Sequence, residues 1–546
     1  MELINRDTHC FQELSPLTFL ERSAKVYSSE IAVVHPGGEV SYQELLHRCR
    51  CLSSGLKSIG VGHGDRVALI MRNDLAAIEA HYAAPSVGGI IVSLNPNIDS
   101  QPILNQLMFC EAKALIISEE FVSSFGSLFS TLMEKGVQII VVGLAQKDLD
   151  GGLIDYETLL ASQIGDKPLD ELNINEMSSI AINFTSGTTG EPKGVEYSHR
   201  AAYMHAIGQV LMMNLTRGSC YFWTLPMFHV NGWGHMWACV AAGTCQVLLE
   251  ESELNNIEHT FNRMVSSKAT HIAGAPRLVK LIADHAAGKN ELKGLTILTG
   301  GAAPTPSLVE QMLDLEFNLI HQYGLNETCG PLLFCEGTKD WDKLPKDQLV
   351  KKKLRQGVPA IHAGNGVRLV NEDMQDVPKD GVSIGEIIVR GNTVAKGYHK
   401  NQQATDIAFV DGWFHTGDMA VMYDDGYIEI KDRLKDLIYV ETDYGWENIS
   451  SIEIENTISS HDSVNDVAVV GVKLGDGGES LVAFLELSDA LETIATELDE
   501  FCRANLPDFK IPKYYFKKTL PKTATGKVRK NLLVDDAKTR ILREAS

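Results

Sequence analysis

Residues 184–194, FTSGTTGEPKG, gather more anion-binding groups than any other stretch of the chain. They hold the hydroxyls of Thr185, Ser186, Thr188 and Thr189, the glycines Gly187, Gly190 and Gly194, and the ammonium of Lys193. Glycines let successive backbone N–H groups point inward, hydroxyls add donors and the lysine adds charge, so the loop suits a polyphosphate. It is not a Walker A loop, because its glycine spacing differs and Lys193 is followed by glycine. An arbitrary loop of this composition is more often a plain surface turn. Elsewhere, Glu327 offers the hard carboxylate that Mg2+ takes together with phosphate oxygens and water, although taken alone it reads as an exposed loop acid. Lys527 is a cation in a basic tail segment, 522–530, that alone reads as a solvated patch.

Such groups work only if rigid elements hold them. Ser41 and Glu44 form a capping box that opens a helix ending near Gly60. A strand is predicted over 66–71, a helix near 75–84 and a strand at 89–93, with further buried strands at 114–117 and 137–142. Apolar strands separated by helix-length segments point to parallel sheets covered on both faces. The phosphate loop itself follows the apolar run 180–184 and precedes a helical segment starting near Ser198. After residue 432 the pattern changes to a shorter region with strands at 466–471 and 480–485 and one helix ending near Leu506. The expected fold is α/β, a large multi-layered N-terminal domain over 1–432 followed by a small mobile C-terminal α+β domain over 433–546.

Six segments in order, 184–194, Gly300 to Pro304, Tyr323 to Thr328, Trp413 to Asp418, Asp432 to Asp436 and Pro521 to Lys527, resemble the motifs of the adenylate-forming, acyl-activating enzymes. That superfamily includes acyl-CoA synthetases, coumarate-CoA ligases, adenylation domains and firefly luciferase, and the likeness spans nearly the whole chain. It reverses the plain reading of the phosphate loop and of Lys527. By resemblance, the loop residues bind ATP, Glu327 binds Mg2+, and Gly301, Ala302 and Ala303 let adenine lie against backbone. Tyr323, Gly324, Asn326 and Thr328 complete the nucleotide site, Asp418 accepts the ribose hydroxyls and Arg433 steadies the nucleotide. Lys527 is the catalytic lysine that bridges carboxylate and α-phosphate as negative charge gathers there. Relatives usually carry threonine where this chain has Asn326, whose amide still donates.

On the acyl side, the run LPMFHVNGWGH at 225–235 is rich in aromatic and small residues. The resemblance places His229 where carboxylate, ATP and thiol channel meet, and lines the acyl pocket with Asn231, Trp233, Gly274 and Ala275. These residues admit an aliphatic chain or an aromatic acid. Lys435 is the implied hinge about which the small domain swings between half-reactions. Relatives commonly read ISGGENI after the hinge, whereas this chain, after Ile438, has YVETDYGWENI at 439–449, longer by about four residues. Gly445 and Trp446 fall where coenzyme A is bound, and the added acids Glu441 and Asp443 oppose an anionic nucleotide.

Composition narrows the remaining classes. A formal net charge of -22 argues against nucleic-acid and anionic-membrane partners, so an anionic ligand must meet local positive charge. The ten cysteines lie scattered without CxxC pairs, which supports neither a disulfide framework nor a zinc site. No stretch approaches a membrane span, and neither the N-terminus nor the closing Glu-Ala-Ser is a recognisable address, so a cytoplasmic protein is expected, with a peroxisomal one as the alternative. The expected activity is ATP-dependent activation of a small carboxylic acid and transfer to coenzyme A. A stand-alone enzyme loading a carrier-protein thiol is the second reading, favoured by the altered loop. A luciferase-like oxygenase rests on fold analogy alone. A non-catalytic nucleotide binder conflicts with the retained Lys193, Glu327, Asp418 and Lys527. Neither the acid nor the oligomeric state is written in the sequence.

Overall fold

The computed structural model describes residues 11–143, 151–172, 174–185, 193–249, 253, 256–442, 445–461, 463–473, 478–487, 494–522 and 528–544. Two large sheets build the N-terminal part. One has eight strands, running from Gly397–Tyr398 through Gly194–Ser198, Ser179–Phe184, Ile90–Ser93, Arg66–Ile70, Ala112–Ser118 and Gln138–Val142 to Ile154–Asp155. From Ser179–Phe184 onward all its pairings are parallel, as the buried apolar runs predict. The second has nine strands, with Asn318–Leu325, Thr296–Thr299, His271–Gly274 and Cys220–Phe222 consecutive and parallel.

Between the sheets lies a helical layer. Helix Tyr42–Ser58 starts with the reciprocal Ser41/Glu44 capping box. Helix Leu75–Ser86 buries every one of its 12 residues, which is why its sequence, LAAIEAHYAAPS, has no polar face. Its Glu79 is tolerated there because Arg48 and the Tyr156 hydroxyl both bind its carboxylate. The aromatic side chains Tyr42, Tyr82, Tyr197, Trp223, Trp233 and Trp237 fill the same core.

A five-stranded sheet, Val367–Val370, Gly385–Val389, Trp413–Met422, Phe409–Val410 and Ile428–Arg433, packs on its own apolar cluster. Strand Ile428–Arg433 runs through Arg433, which pairs with Asp418, so the expected cut after Asp432 falls inside a strand. The small C-terminal domain has a three-stranded sheet, Val464–Lys473, Glu479–Leu487 and Lys513–Phe516. Among its described residues are three α-helices, Ser451–Ser459, Ile494–Asn505 and Lys530–Glu544, where the sequence had suggested one. Its two clusters of buried side chains lie one on each face of the sheet. Among the described residues no helix is long and apolar enough to cross a membrane.

Candidate functional site

Parallel register decides where the site forms. Gly274 pairs with Thr299 and Thr299 with His321, so the parallel pairing of the three strands stops at one level, although the last strand runs on to Leu325. Beyond that level lie Ala275 and Gly301 to Ala303, in the segments leaving their strands, and Tyr323 to Glu327, which spans the end of strand Asn318–Leu325 and the turn after it, all at the carboxyl edge where α/β sheets bind ligands. Gly301 takes a left-handed φ of +82°, and a Cβ there would stand 3.2 Å from the Asn231 amide nitrogen. The residues expected at the adenine and acyl subsites are therefore neighbours. Gly324 has a different reason to be glycine: a Cβ would meet the Gly330 carbonyl oxygen at 2.1 Å.

Asp418 sits on strand Trp413–Met422, only 3% exposed. Its Oδ2 accepts a 2.6 Å hydrogen bond from the Tyr323 hydroxyl, and its Oδ1 lies 3.0 Å from Arg433 Nε. Burial, and then the Asp418 charge, push the Tyr323 phenol well above its ordinary value, so it stays a donor. The turn before Asp418 is fixed as well. Gly417 has φ +68°, its N–H donates to Glu386 Oε1 at 2.9 Å, and the Thr416 hydroxyl donates to the Ile387 carbonyl at 2.7 Å.

The expected phosphate side is a hairpin. Strands Ser179–Phe184 and Gly194–Ser198 pair antiparallel, with Phe184 opposite Gly194. At its mouth the Thr185 N–H donates to the Lys193 carbonyl at 2.9 Å, and Lys193 N–H reaches the Thr185 hydroxyl at 3.3 Å. Ser186, Gly187, Thr188, Thr189 and Gly190 lie outside the described residues. Glu327 sits in the short 3-10 turn Asn326–Thr328, and its Oε1 accepts from the Tyr398 hydroxyl at 2.7 Å. Thr328 corrects an expectation. Its side chain is fully buried and its hydroxyl lies within hydrogen-bond distance of Leu325 N, Leu325 O and Gly330 O, so it builds the turn and does not face a nucleotide.

His229 caps helix Val230–Trp233, its Nδ1 accepting from Asn231 N–H at 3.3 Å. Burial pushes the ring down to about 4, so it is neutral near pH 7, with its proton on Nε2. Trp233 also departs from expectation: it has no exposed face and packs between Tyr197 and Trp237, with ring centroids 4.9 and 4.7 Å away. It lies behind the expected acyl region, whereas Ala275 is exposed beside buried Gly274. Three residues the sequence did not suggest belong here. The Asn73 amide pins the loop before His229, donating to Leu225 O at 2.8 Å and accepting from Met227 N–H at 2.7 Å. His205, fully buried, lies against Gly234 and Gly330, between the acyl motif and the strand after Glu327. Tyr398 is the third. Only contacts across long sequence separations reveal them.

Lys435 is exposed in the turn that joins strand Ile428–Arg433 to strand Ile438–Thr442. Just before it, buried Asp432 accepts from both Ser451 N–H and the Ser451 hydroxyl, each at 2.6 Å, which ties the last strand of the large domain to the first helix of the small one. The lengthened segment is a regular antiparallel pair, Ile438–Thr442 with Gly445–Ile449, placing Gly445 opposite Thr442 and Trp446 opposite Glu441. Lys527 lies outside the described residues. The segment carrying it is closed at its base by a bridge between Lys522 and Val528, and the flanking cations are committed, Lys522 to Asp466 at 2.5 Å and Lys530 to Glu455 at 2.8 Å.

Comparison with protein families matches residues 20–399 to the AMP-binding enzyme family and residues 453–527 to the AMP-binding enzyme C-terminal domain. The chain is an AMP-binding enzyme. This AMP-binding enzyme is 36% identical to an acetate–CoA ligase of Humulus lupulus, over 97% of its own length and 95% of the relative's. It is 33% identical to a peroxisomal trans-cinnamate:CoA ligase of Petunia hybrida, covering 96% and 94%. It is 34% identical to a 4-hydroxybutyrate–CoA ligase of Metallosphaera sedula, covering 98% and 97%. Among solved structures, an anthranilate CoA ligase in complex with anthranoyl-AMP superposes with a TM-score of 0.85 at 21% identity, over 97% of this enzyme and 99% of that chain. The α/β architecture, with its large N-terminal and small C-terminal domains, is the adenylate-forming one that the motifs led us to expect.

Proposed function

We propose that this AMP-binding enzyme is an AMP-forming acid–thiol ligase. A carboxylate oxygen of a small acid attacks the α-phosphorus of ATP and pyrophosphate leaves; the coenzyme A thiol sulfur then attacks the acyl carbon and AMP leaves. The observation that carries this reading is the segment Tyr323 to Glu327, which grips the ribose-accepting carboxylate Asp418 at one end and presents a second carboxylate at the other. Buried Asp418, held by Tyr323 and Arg433, is fixed as a bidentate acceptor for a sugar diol. Glu327 is a hard oxygen donor suited to the Mg2+ that a triphosphate brings, and Lys193 stands across the hairpin mouth as the counter-charge. Neutral His229 orients the loop at the acyl entrance, and Asn231 lies beside Gly301.

Coenzyme A is favoured over a carrier-protein thiol because the relatives, aligned over nearly their full length, are named CoA ligases. Their named acids, acetate, trans-cinnamate and 4-hydroxybutyrate, support a short aliphatic or aromatic acid for this enzyme. The domain division falls in the turn around Lys435, which serves as hinge; Lys527 supplies charge to the adenylation step, and residues 445–446 border the thiol channel. Cytoplasm is the default compartment, and relatives named peroxisomal support the alternative; imaging of a tagged full-length chain decides. The reaction is tested by AMP and pyrophosphate release across aliphatic and aromatic acids, with and without coenzyme A, and product mass. Acyl-CoA formation is the expected result, and pyrophosphate release with no thioester on coenzyme A rejects the ligase reading.

A further inference from the structure

Tyr398 touches both charged groups of the triphosphate side. Its hydroxyl donates to Glu327 Oε1 at 2.7 Å, and the Lys193 ammonium stands over its ring, 4.7 Å from the centroid. The half-buried side chain is held from every side that matters. Its N–H donates to the Thr405 hydroxyl at 2.9 Å, its ring meets Phe409 at 6.1 Å, and strand Gly397–Tyr398 pairs with the phosphate hairpin, Tyr398 opposite Val195. The same strap reaches both loops through its backbone: Ala395 N–H donates to Glu327 O at 2.8 Å, and His399 N–H to Gly194 O at 2.7 Å.

The chemistry of a phenol suits this position. The O–H occupies one carboxylate oxygen and fixes its plane, which leaves the other oxygen for a cation, while the electron-rich ring face attracts an ammonium. Phenylalanine would keep the second function and lose the first. We propose that Tyr398 is a positioning residue that couples the magnesium carboxylate to the phosphate-loop lysine, presenting Glu327 to the metal and holding Lys193 beside it before the triphosphate arrives. The proposal rests on the reading of the protein as a MgATP-dependent ligase.

The test is thermal denaturation of the full chain with ATP, across a free Mg2+ titration and in excess EDTA. Wild type must be stabilised by MgATP; no response overturns the ligase reading and the proposal together. Tyr398→Phe is expected to melt within a degree or two of wild type without ligand and to bind metal-free ATP like wild type. It should need at least fivefold more free Mg2+ for half-maximal stabilisation. Tyr398→Leu, which loses the ring as well, is expected also to weaken metal-free ATP at least threefold. If wild type responds but both variants keep a Mg2+ dependence within twofold of it, the proposal is wrong. A loss of unliganded stability in Tyr398→Phe with unchanged Mg2+ dependence would make the residue structural only.

Discussion

Asp418 and Tyr323 belong to different sheets and meet through a 2.6 Å hydrogen bond, so a single contact fixes the carboxylate proposed to bind the sugar against the nine-stranded sheet, whose edge also carries Gly301 to Ala303 and Glu327. Arg433 completes the corner from the neighbouring strand. Removing one partner of such a buried pair leaves the other uncompensated, a loss of about 3 kcal/mol. Asp418→Asn should therefore lower the melting temperature and raise KM for ATP at least tenfold, with a smaller change in kcat. An unchanged KM for ATP would remove Asp418 from the ribose role.

The Thr328 hydroxyl ties Leu325 to Gly330 across the turn that carries Glu327. Thr328→Val keeps the shape and strands the Leu325 N–H, at a cost of about 1–3 kcal/mol. Because Glu327 rides on that turn, the variant should also need more Mg2+ for half-maximal rate. Full stability and unaltered Mg2+ dependence together would show that the hydroxyl is dispensable.

Acid sensitivity follows from the buried imidazoles. Burial holds His81, His229, His235 and His321 down to about 4 and His199 to about 3, against an ordinary value of 6.5. The folded state keeps them neutral while the unfolded chain takes up protons below 6.5, so their stabilisation is complete above that pH and is lost as pH falls toward 4. Each contributes at most about 1.4 kcal/mol per pH unit in that window. Urea midpoints at pH 7, 6 and 5 should fall with increasing steepness. A flat profile would mean that these rings are not buried as described. For the same reason His229 should produce no inflection near pH 6.5 in the rate.

Lys527→Ala should slow adenylation on the order of a hundredfold, read by acid-dependent exchange of pyrophosphate into ATP, because it removes the charge expected to stabilise the pentavalent phosphorus. Thioester formation from a supplied acyl-adenylate should change far less. Equal losses in both assays would place Lys527 outside the adenylation step.

Much of this arrangement was legible in local sequence, for local reasons. The Ser41/Glu44 capping box is a contact between residues three apart, and the parallel strands are continuous apolar runs. The glycines, hydroxyls and lysine of 184–194 marked that loop by themselves, whereas the other expected nucleotide segments stood out only through their ordered resemblance to the motifs of the adenylate-forming enzymes. Contacts across long separations were not legible: Tyr398 lies 71 residues from Glu327, and Asn73 is 152 from Leu225. The small domain was under-read for another reason. Helix Ser451–Ser459, SIEIENTIS, sets β-branched residues in near alternation, which mimics a strand, although Ser450 followed by Glu453 signals its start. Helix Lys530–Glu544 fully buries, among its described side chains, the narrow stripe of Leu533 and Ala537, with Val534 and Ile541 partly buried beside it, so its charges hide the period.

The central claim is that a carboxylate oxygen attacks the α-phosphorus of ATP. It is tested most directly by supplying an accepted acid with 18O in its carboxylate, together with ATP and coenzyme A, and weighing the nucleotide product. The account predicts AMP carrying one 18O, because the bridging oxygen stays with phosphorus when the thiol displaces the acyl group. Unlabelled AMP, or ADP with the label in inorganic phosphate, would contradict it.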